Sequence, residues 1–228
     1  MYERNIIWSR SGLGNPELLT LKAVRIIREN DVIAVPGEVK ENTVAYNIVK
    51  PVIENLDEKE FLELPMVMTK DAGKLEENYS NAAKRVMECL DTGKNVVFLT
   101  LGDATVYATY MYVHQKVEAA GYHTEIVSGI PSFCAVAAKL NMSLVERSEM
   151  LHVIPSSYQI DEALKLPGTK VLMKAGKKMA DVKKKLMEMD CSVTMIENCG
   201  MENEKIYRSA EEIDENAGYY SLIIVKEK

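Results

Sequence analysis

Asp91-Thr92-Gly93-Lys94-Asn95-Val96-Val97-Phe98-Leu99-Thr100-Leu101-Gly102-Asp103 is the stretch on which the fold turns. A polar turn rich in Asp, Gly and Asn delivers four apolar residues in a row, Val96 to Leu99. So short and wholly apolar a run suits a central parallel strand, which is buried on both faces. On its amino side Leu75 to Leu90 reads as a helix. On its carboxyl side a Gly-Asp loop leads into a helical pattern from Thr105 to Ala120, stopped at Gly121.

The same alternation extends towards the amino end. Ile6 to Trp8 reads as a first strand. Asn15-Pro16-Glu17 then opens a helix, with Asn as a cap, Pro in the first turn and Glu at the positive helix end. Leu18, Leu21, Val24 and Ile27 continue it at helical spacing to about Glu29. Val32 to Val35 is a second strand, closed by Pro36-Gly37; Thr43 to Ile53 is helix-like, and Phe61 to Leu64 is a further short strand. Strand and helix in alternation predict an α/β domain, a mostly parallel sheet with helices on both faces.

The second half is less regular. Strands are expected at His123 to Val127, Met150 to Ile154, Thr169 to Met173, Val193 to Glu197, Lys205 to Tyr207 and Ser221 to Val225. Helices are expected at Ser132 to Leu140 and Met179 to Met189, with a short one between the last two strands. Strands that crowd together near the carboxyl end suggest antiparallel additions, hence a mixed sheet with helices. The expected boundary lies at Ala119 to His123, giving domains 1–120 and 121–228.

Bulk composition narrows the function. The 228 residues are 47% hydrophobic and 27% charged, with a formal net charge of −6. A nucleic-acid partner calls for a basic stripe, which this balance disfavours. No apolar run approaches the roughly 20 residues of a membrane span, and no signal-peptide core follows Met1-Tyr2-Glu3-Arg4-Asn5, so no membrane association and a cytoplasmic location are expected. Cys89, Cys134, Cys191 and Cys199 form no CxxC pair, and His114, His123 and His152 are scattered, so no protein-bound metal is expected. Lys174, Lys177, Lys178, Lys183, Lys184 and Lys185 cluster, either as a solvated helix face or as local attraction for an anion.

Three loops can carry chemistry. Ser11-Gly12-Leu13-Gly14-Asn15-Pro16 lets the backbone approach a ligand, or is a plain tight turn; as a dinucleotide fingerprint it fails, because Glu17 stands at the third glycine position. Leu99-Thr100-Leu101-Gly102-Asp103-Ala104-Thr105-Val106-Tyr107 follows the strongest strand, where ligands of α/β sheets bind. Its Asp103 either meets a ligand or caps the next helix. Val127-Ser128-Gly129-Ile130-Pro131-Ser132-Phe133 offers Ser132 as a helix cap or a cofactor seat.

Together these loops resemble the tetrapyrrole methylase family, on the C20-methyltransferase branch of cobalamin biosynthesis. The resemblance rests on Gly12-Leu13-Gly14-Asn15-Pro16-Glu17-Leu18-Leu19-Thr20-Leu21-Lys22-Ala23, Phe98-Leu99-Thr100-Leu101-Gly102-Asp103, Val106-Tyr107, Thr109-Tyr110-Met111-Tyr112-Val113, Ser128-Gly129-Ile130-Pro131-Ser132-Phe133-Cys134, His152-Val153-Ile154-Pro155, Glu197-Asn198 and Ser221-Leu222-Ile223-Ile224-Val225. It implies a cytoplasmic, homodimeric two-domain enzyme with its active-site cleft between the domains. S-adenosyl-L-methionine (SAM) is the implied donor and S-adenosyl-L-homocysteine the product. By motif match, Leu101, Gly102, Asp103, Val106 and Tyr107 would hold the amino-acid and ribose parts of SAM. Ser132 and Phe133 would sit on it from the second domain, with Met173, Cys199 and Ser221 matching more loosely as backbone contacts to adenine. Arg10, Gly12, Leu13 and Gly14 would face the tetrapyrrole, cobalt-factor II or precorrin-2; any cobalt arrives inside the substrate. Arg10, Arg147 and Lys174 are candidates for its carboxylates or ordinary surface cations.

The chain departs from the family's usual Gly-Pro-Gly-Asp-Pro by Gly12-Leu13-Gly14-Asn15-Pro16. Arg10 stands where glycine is common, Ala104 follows Gly-Asp in place of Pro, and Ser128 replaces a Pro. No His, Asp or Glu is placed as a catalytic base; Asp103 is expected to position the cofactor. The alternatives are a SAM methylase of the same fold on another ring position, a modified histidine or ribosomal RNA, or a non-catalytic SAM- or tetrapyrrole-binding module.

Overall fold

The computed structural model describes residues 5–11, 14–155 and 160–227, with backbone alone along 5–11 and at Lys177. The chain divides into two compact units, up to Pro131 and from Ser132 onward.

The first unit runs β1 (Asn5–Ser11), α1 (Leu21–Glu29), β2 (Val32–Val35), α2 (Val44–Val49), β3 (Glu60–Glu63), α3 (Ala72–Asp91), β4 (Val96–Leu101), α4 (Met111–Ala119) and β5 (His123–Ile126). Its sheet has the order β3-β2-β4-β1-β5 and every pairing is parallel. Val96, Val97, Phe98 and Leu99 are all 0% exposed, so β4 is the central strand its apolar run predicted. Side chains alternate across a pleat, and the alternation is visible in the core. Val97 and Leu99 pack with Ala23, Ile26 and Ile27 of α1 and Tyr46 and Val49 of α2. Val96 and Phe98 pack with Ala83, Val86 and Leu90 of α3 and Val113 and Val117 of α4. Helices therefore cover both faces, as expected.

The second unit runs α5 (Ser132–Lys139), β6 (Leu151–Pro155), α6 (Ile160–Leu164), β7 (Thr169–Met173), α7 (Met179–Met187), β8 (Cys191–Glu197), β9 (Lys205–Tyr207) and β10 (Ser221–Glu227). Its sheet, β6-β7-β10-β8-β9, is mixed: β6 and β7 are parallel and the remaining pairs antiparallel. Leu172, Met195, Ile223 and Val225 bury one face against Met179, Val182 and Leu186 of α7 and Ile160 of α6.

Four expectations are corrected. β5 pairs with β1 in the first sheet, so the division falls after Pro131, not at 120/121. The helix expected from Asn15 is split. Asn15 Oδ1 accepts from Glu17 N at 2.9 Å and caps only a 3-10 turn, Pro16–Leu18. Leu19 is extended, and Thr20 caps α1 through Ala23 N at 3.2 Å. The helix expected from Thr105 starts at Met111 instead. No helix lies between β9 and β10; residues 208–220 form turns.

An ionic tie fixes α2 to the segment before β3. The Tyr46 hydroxyl donates to the Asp57 carboxylate, and Lys50 and Lys40 reach it at 3.2 Å each. The tyrosine bond first, then the two lysines, lowers the Asp57 pKa from 3.8 to about 2. A carboxylate held low stabilises the fold where it is ionised in both states, above its unfolded value, and loses that contribution as pH falls through the folded one. The stability difference between the unaltered protein and Asp57→Asn should therefore shrink as pH drops from about 4 to 2. Paired urea melts across that window check it; a constant difference would refute the tie.

Candidate active site

The chain leaves β1 through α1 towards β2 on one side, and leaves β4 through α4 towards β5 on the other. β1 and β4 are nevertheless neighbours, with Ser11 opposite Leu101 at their carboxyl ends. Their following helices lie on opposite sheet faces. This is a topological switch point, the place where the strand ends of an α/β sheet open a crevice for ligands. The first and second loops follow β1 and β4, and the third follows β5 on the other side of β1. All three therefore gather at one edge of the sheet, which their positions in sequence did not disclose.

The second loop is the best defined. β4 ends at Leu101, and Gly102 takes a positive φ of 71°, a turn that glycine makes without steric cost. Asp103 follows, only 8% exposed. Its Oδ1 accepts from Thr105 N at 2.8 Å and Thr105 Oγ1 at 2.6 Å, and its Oδ2 accepts from Gly129 N at 2.8 Å. Val106 N closes the turn on Asp103 O at 3.1 Å. Asp103 therefore does not cap the next helix, which begins at Met111. It is a buried carboxylate that ties the loop after β4 to the loop after β5. Ala104, where proline is usual in the family, is fully buried with Phe98 and Tyr110. Tyr107 is half-exposed with φ 49°, a conformation rare for an aromatic residue and more common where structure serves a site.

In the second unit, Met173 ends β7, Ser221 begins β10 and Cys199 follows β8, all at one end of the sheet. Met173 pairs with Leu222 and Ser221 with Glu197. Successive side chains alternate, so Met173 and Ser221 point to opposite faces of the sheet. Cys199 is buried, and burial, with Glu204 nearby, pushes its thiol up to about 11; it is no thiolate nucleophile. Ser132 and Phe133, both half-buried, open α5. Glu197, at the end of β8, carries no sequence signal that marks it as a site residue. It is 8% exposed and accepts from Gly218 N at 2.7 Å and the Tyr207 hydroxyl at 3.2 Å.

Gly14, after β1, has a positive φ of 64°. The Arg10 side chain, Gly12 and Leu13 lie outside the described residues. Arg147 is exposed and Lys174 half-buried, both with positive φ. In the lysine cluster, Lys183 donates to Ile213 O at 2.8 Å and Lys185 bridges Asp161 and Asp181, so these two cations are already engaged. His114 is buried with Thr124 Oγ1 at 3.3 Å, and burial lowers its pKa. Among the described residues, no group of three or more His, Cys, Asp or Glu gathers as metal ligands, and no helix is long and apolar enough to cross a membrane.

The profile of the Tetrapyrrole (Corrin/Porphyrin) Methylases matches residues 11–214. The chain belongs to the tetrapyrrole methylase family. A probable cobalt-precorrin-2 C(20)-methyltransferase of Methanocaldococcus jannaschii is 33% identical over 94% of this chain and 93% of its own length. The cobalt-precorrin-2 C(20)-methyltransferase of Salmonella typhimurium is 29% identical over 96% of this chain and 94% of its own. The solved structure of a cobalt precorrin-4 methyltransferase superposes with a TM-score of 0.75 at 18% identity, covering 97% of this chain and 94% of that one, and shares the fold. As a tetrapyrrole methylase the chain is a methyltransferase enzyme.

Proposed function

We propose that this methylase transfers a methyl group from SAM to the C20 meso carbon of precorrin-2 or its cobalt-containing counterpart. Identity of 33% with the probable C(20)-methyltransferase of Methanocaldococcus jannaschii, along nearly all of both chains, carries this reading. Leu101, Gly102, Asp103, Val106 and Tyr107 would hold the amino-acid and ribose parts of SAM. Ser132, Phe133 and the backbone at Met173, Cys199 and Ser221 would hold the rest, and Arg10, Gly12, Leu13 and Gly14 would face the tetrapyrrole.

The residues present fit such a donor. Gly102 admits close approach of the backbone, and Asp103 supplies a fixed negative charge beside a switch-point crevice, suited to a cationic ligand. Bound there, SAM supplies an electrophilic methyl on a positively charged sulfur. The protein's part is orientation, holding the acceptor carbon in line at near-contact distance, worth several kcal/mol of barrier. The same reading implies a cytoplasmic homodimer, and sedimentation of the purified protein measures its oligomeric state.

Anaerobic incubation with SAM and either cobalt-factor II or metal-free precorrin-2, read by mass spectrometry of the pigment, tests the function. Gain of one methyl is the expected result. Gain on the cobalt form alone places the enzyme in the oxygen-independent route, and gain on the metal-free form in the aerobic one. SAM binding with no methyl gained on either pigment defeats the C20 assignment.

A further inference from the structure

Glu197 is a buried carboxylate that the methyl-transfer chemistry does not use, and it sits among the second unit's expected cofactor contacts. It is the last residue of β8, directly opposite Ser221 of β10 and two residues before Cys199. Its two oxygens reach separate elements. Oε1 accepts from the backbone N–H of Gly218 at 2.7 Å, and Oε2 accepts from the hydroxyl of Tyr207, on β9, at 3.2 Å. Tyr207 is itself buried in the core of this unit.

The bonds around it close one small structure. Ser221 Oγ donates to Gly218 O at 2.8 Å, drawing the 218–221 turn together. Asn198 N donates to Tyr220 O at 3.0 Å, which lays the loop after β8 against that turn. Glu204 Oε2 accepts from Gly200 N at 2.7 Å and fixes the far side of the same loop. Asn198 and Gly200 take positive φ, 53° and 77°, so this backbone holds an unusual path. Of these ties, Glu197 alone joins β8, β9 and the 218–221 turn through one side chain. Burying a carboxylate is costly unless its oxygens are satisfied, so its presence here asks for a reason beyond packing.

We propose that Glu197 is a positioning residue for the methyl donor: its carboxylate sets the backbone of residues 218–221 against the loop at Asn198–Cys199, so that both present their backbone groups to the adenine end of SAM. The proposal rests on the reading of Met173, Cys199 and Ser221 as contacts to that end. A ligand held by backbone groups tolerates little displacement, and a supporting shell left loose is a recognised cause of weak sites.

The test is calorimetric titration with S-adenosyl-L-homocysteine, alongside thermal melts and steady-state kinetics of the full chain. Glu197→Leu keeps a buried side chain of comparable bulk and removes the acceptor for Gly218. It should weaken S-adenosyl-L-homocysteine binding roughly tenfold or more. KM for SAM should rise while KM for the tetrapyrrole stays within about twofold, a split that general loosening would not produce. Glu197→Gln keeps an oxygen for Gly218 and should restore binding to within about threefold. Tyr207→Phe, which leaves the Gly218 bond in place, should also bind nearly normally. If the leucine variant melts below the assay temperature, Glu197→Asp, which withdraws the carboxylate by one methylene, should weaken binding in its place. Unchanged binding in the leucine or aspartate variant, or failure of glutamine to restore it, overturns the proposal. Failure of the unaltered protein to bind S-adenosyl-L-homocysteine is a separate outcome: it overturns the cofactor reading itself, and this role with it.

Discussion

Asp103→Ala should lower kcat/KM for methyl transfer roughly 100-fold, the scale of loss expected when reacting groups slip by about an ångström. The alanine removes three hydrogen bonds at once, to Thr105 N, Thr105 Oγ1 and Gly129 N. It thereby releases the loop after β4 from the loop after β5, the two segments that flank the end of β1. Asp103→Asn is the sharper variant. Its oxygen can still accept from Thr105, but its NH2 then faces the Gly129 N–H, donor against donor. A loss of roughly tenfold is expected there, from the one tie to Gly129 that is broken. On the proposed reading Asp103 positions the donor and transfers no proton, so the shape of the pH–rate profile should not change in either variant. Affinity for S-adenosyl-L-homocysteine should fall alongside kcat/KM. Activity of Asp103→Ala within threefold of the unaltered enzyme would remove Asp103 from the site.

Most of the fold was legible, for identifiable reasons. Val96 to Leu99 is apolar at every position because β4 is covered on both faces, and such a run has few other meanings. Strand order was not legible. A parallel strand takes its neighbour through a crossover, and nothing local to Ile6 or Val96 states that β1 and β4 lie side by side. The switch point, and with it the meeting of three loops, is a property of topology alone. The helix expected from Thr105 failed for a different reason. Val106, Tyr110, Val113 and Val117 keep helical spacing, but Ala104 and Tyr110 are buried by a turn that passes through a left-handed Tyr107. Asp103 was visible as a loop acid, whereas its partner Gly129 lies 26 residues away in sequence. Glu197 read as the end of a strand, since the Gly218 amide and Tyr207 hydroxyl that give it a role come from other elements. What periodicity encodes was readable; what depends on which distant segments meet was not.

Gly168→Ala should cost the second unit about 2–5 kcal/mol, the sum of a left-handed backbone and an overpacked contact. Gly168 has a φ of +86°, and a Cβ there would stand 2.5 Å from the backbone oxygen of Met150 and 3.0 Å from its nitrogen. Both obstacles are main chain, so no side chain can swing aside. Met150 cannot retreat easily either, because its oxygen accepts from Thr169 N at 2.9 Å where β6 and β7 begin to pair. The neighbourhood is charged as well as tight. Glu227 Oε1 accepts from Gly168 N at 3.1 Å and also holds Lys170 Nζ at 3.1 Å, and Lys170 is 2% exposed. Moving Gly168 therefore disturbs the partner of a buried ammonium, which is expensive to leave uncompensated. Gly93 provides the control. It has the same φ of +86° with nothing within 4 Å of the added carbon, so Gly93→Ala should cost only the backbone part, about 1–2 kcal/mol. Urea unfolding of the two variants, followed by circular dichroism, separates the contributions. A clearly larger loss at Gly168 locates the difference in the Met150 contact. Equal losses would mean that backbone conformation alone sets the cost, and that the junction of β6 and β7 yields enough to admit a methyl group.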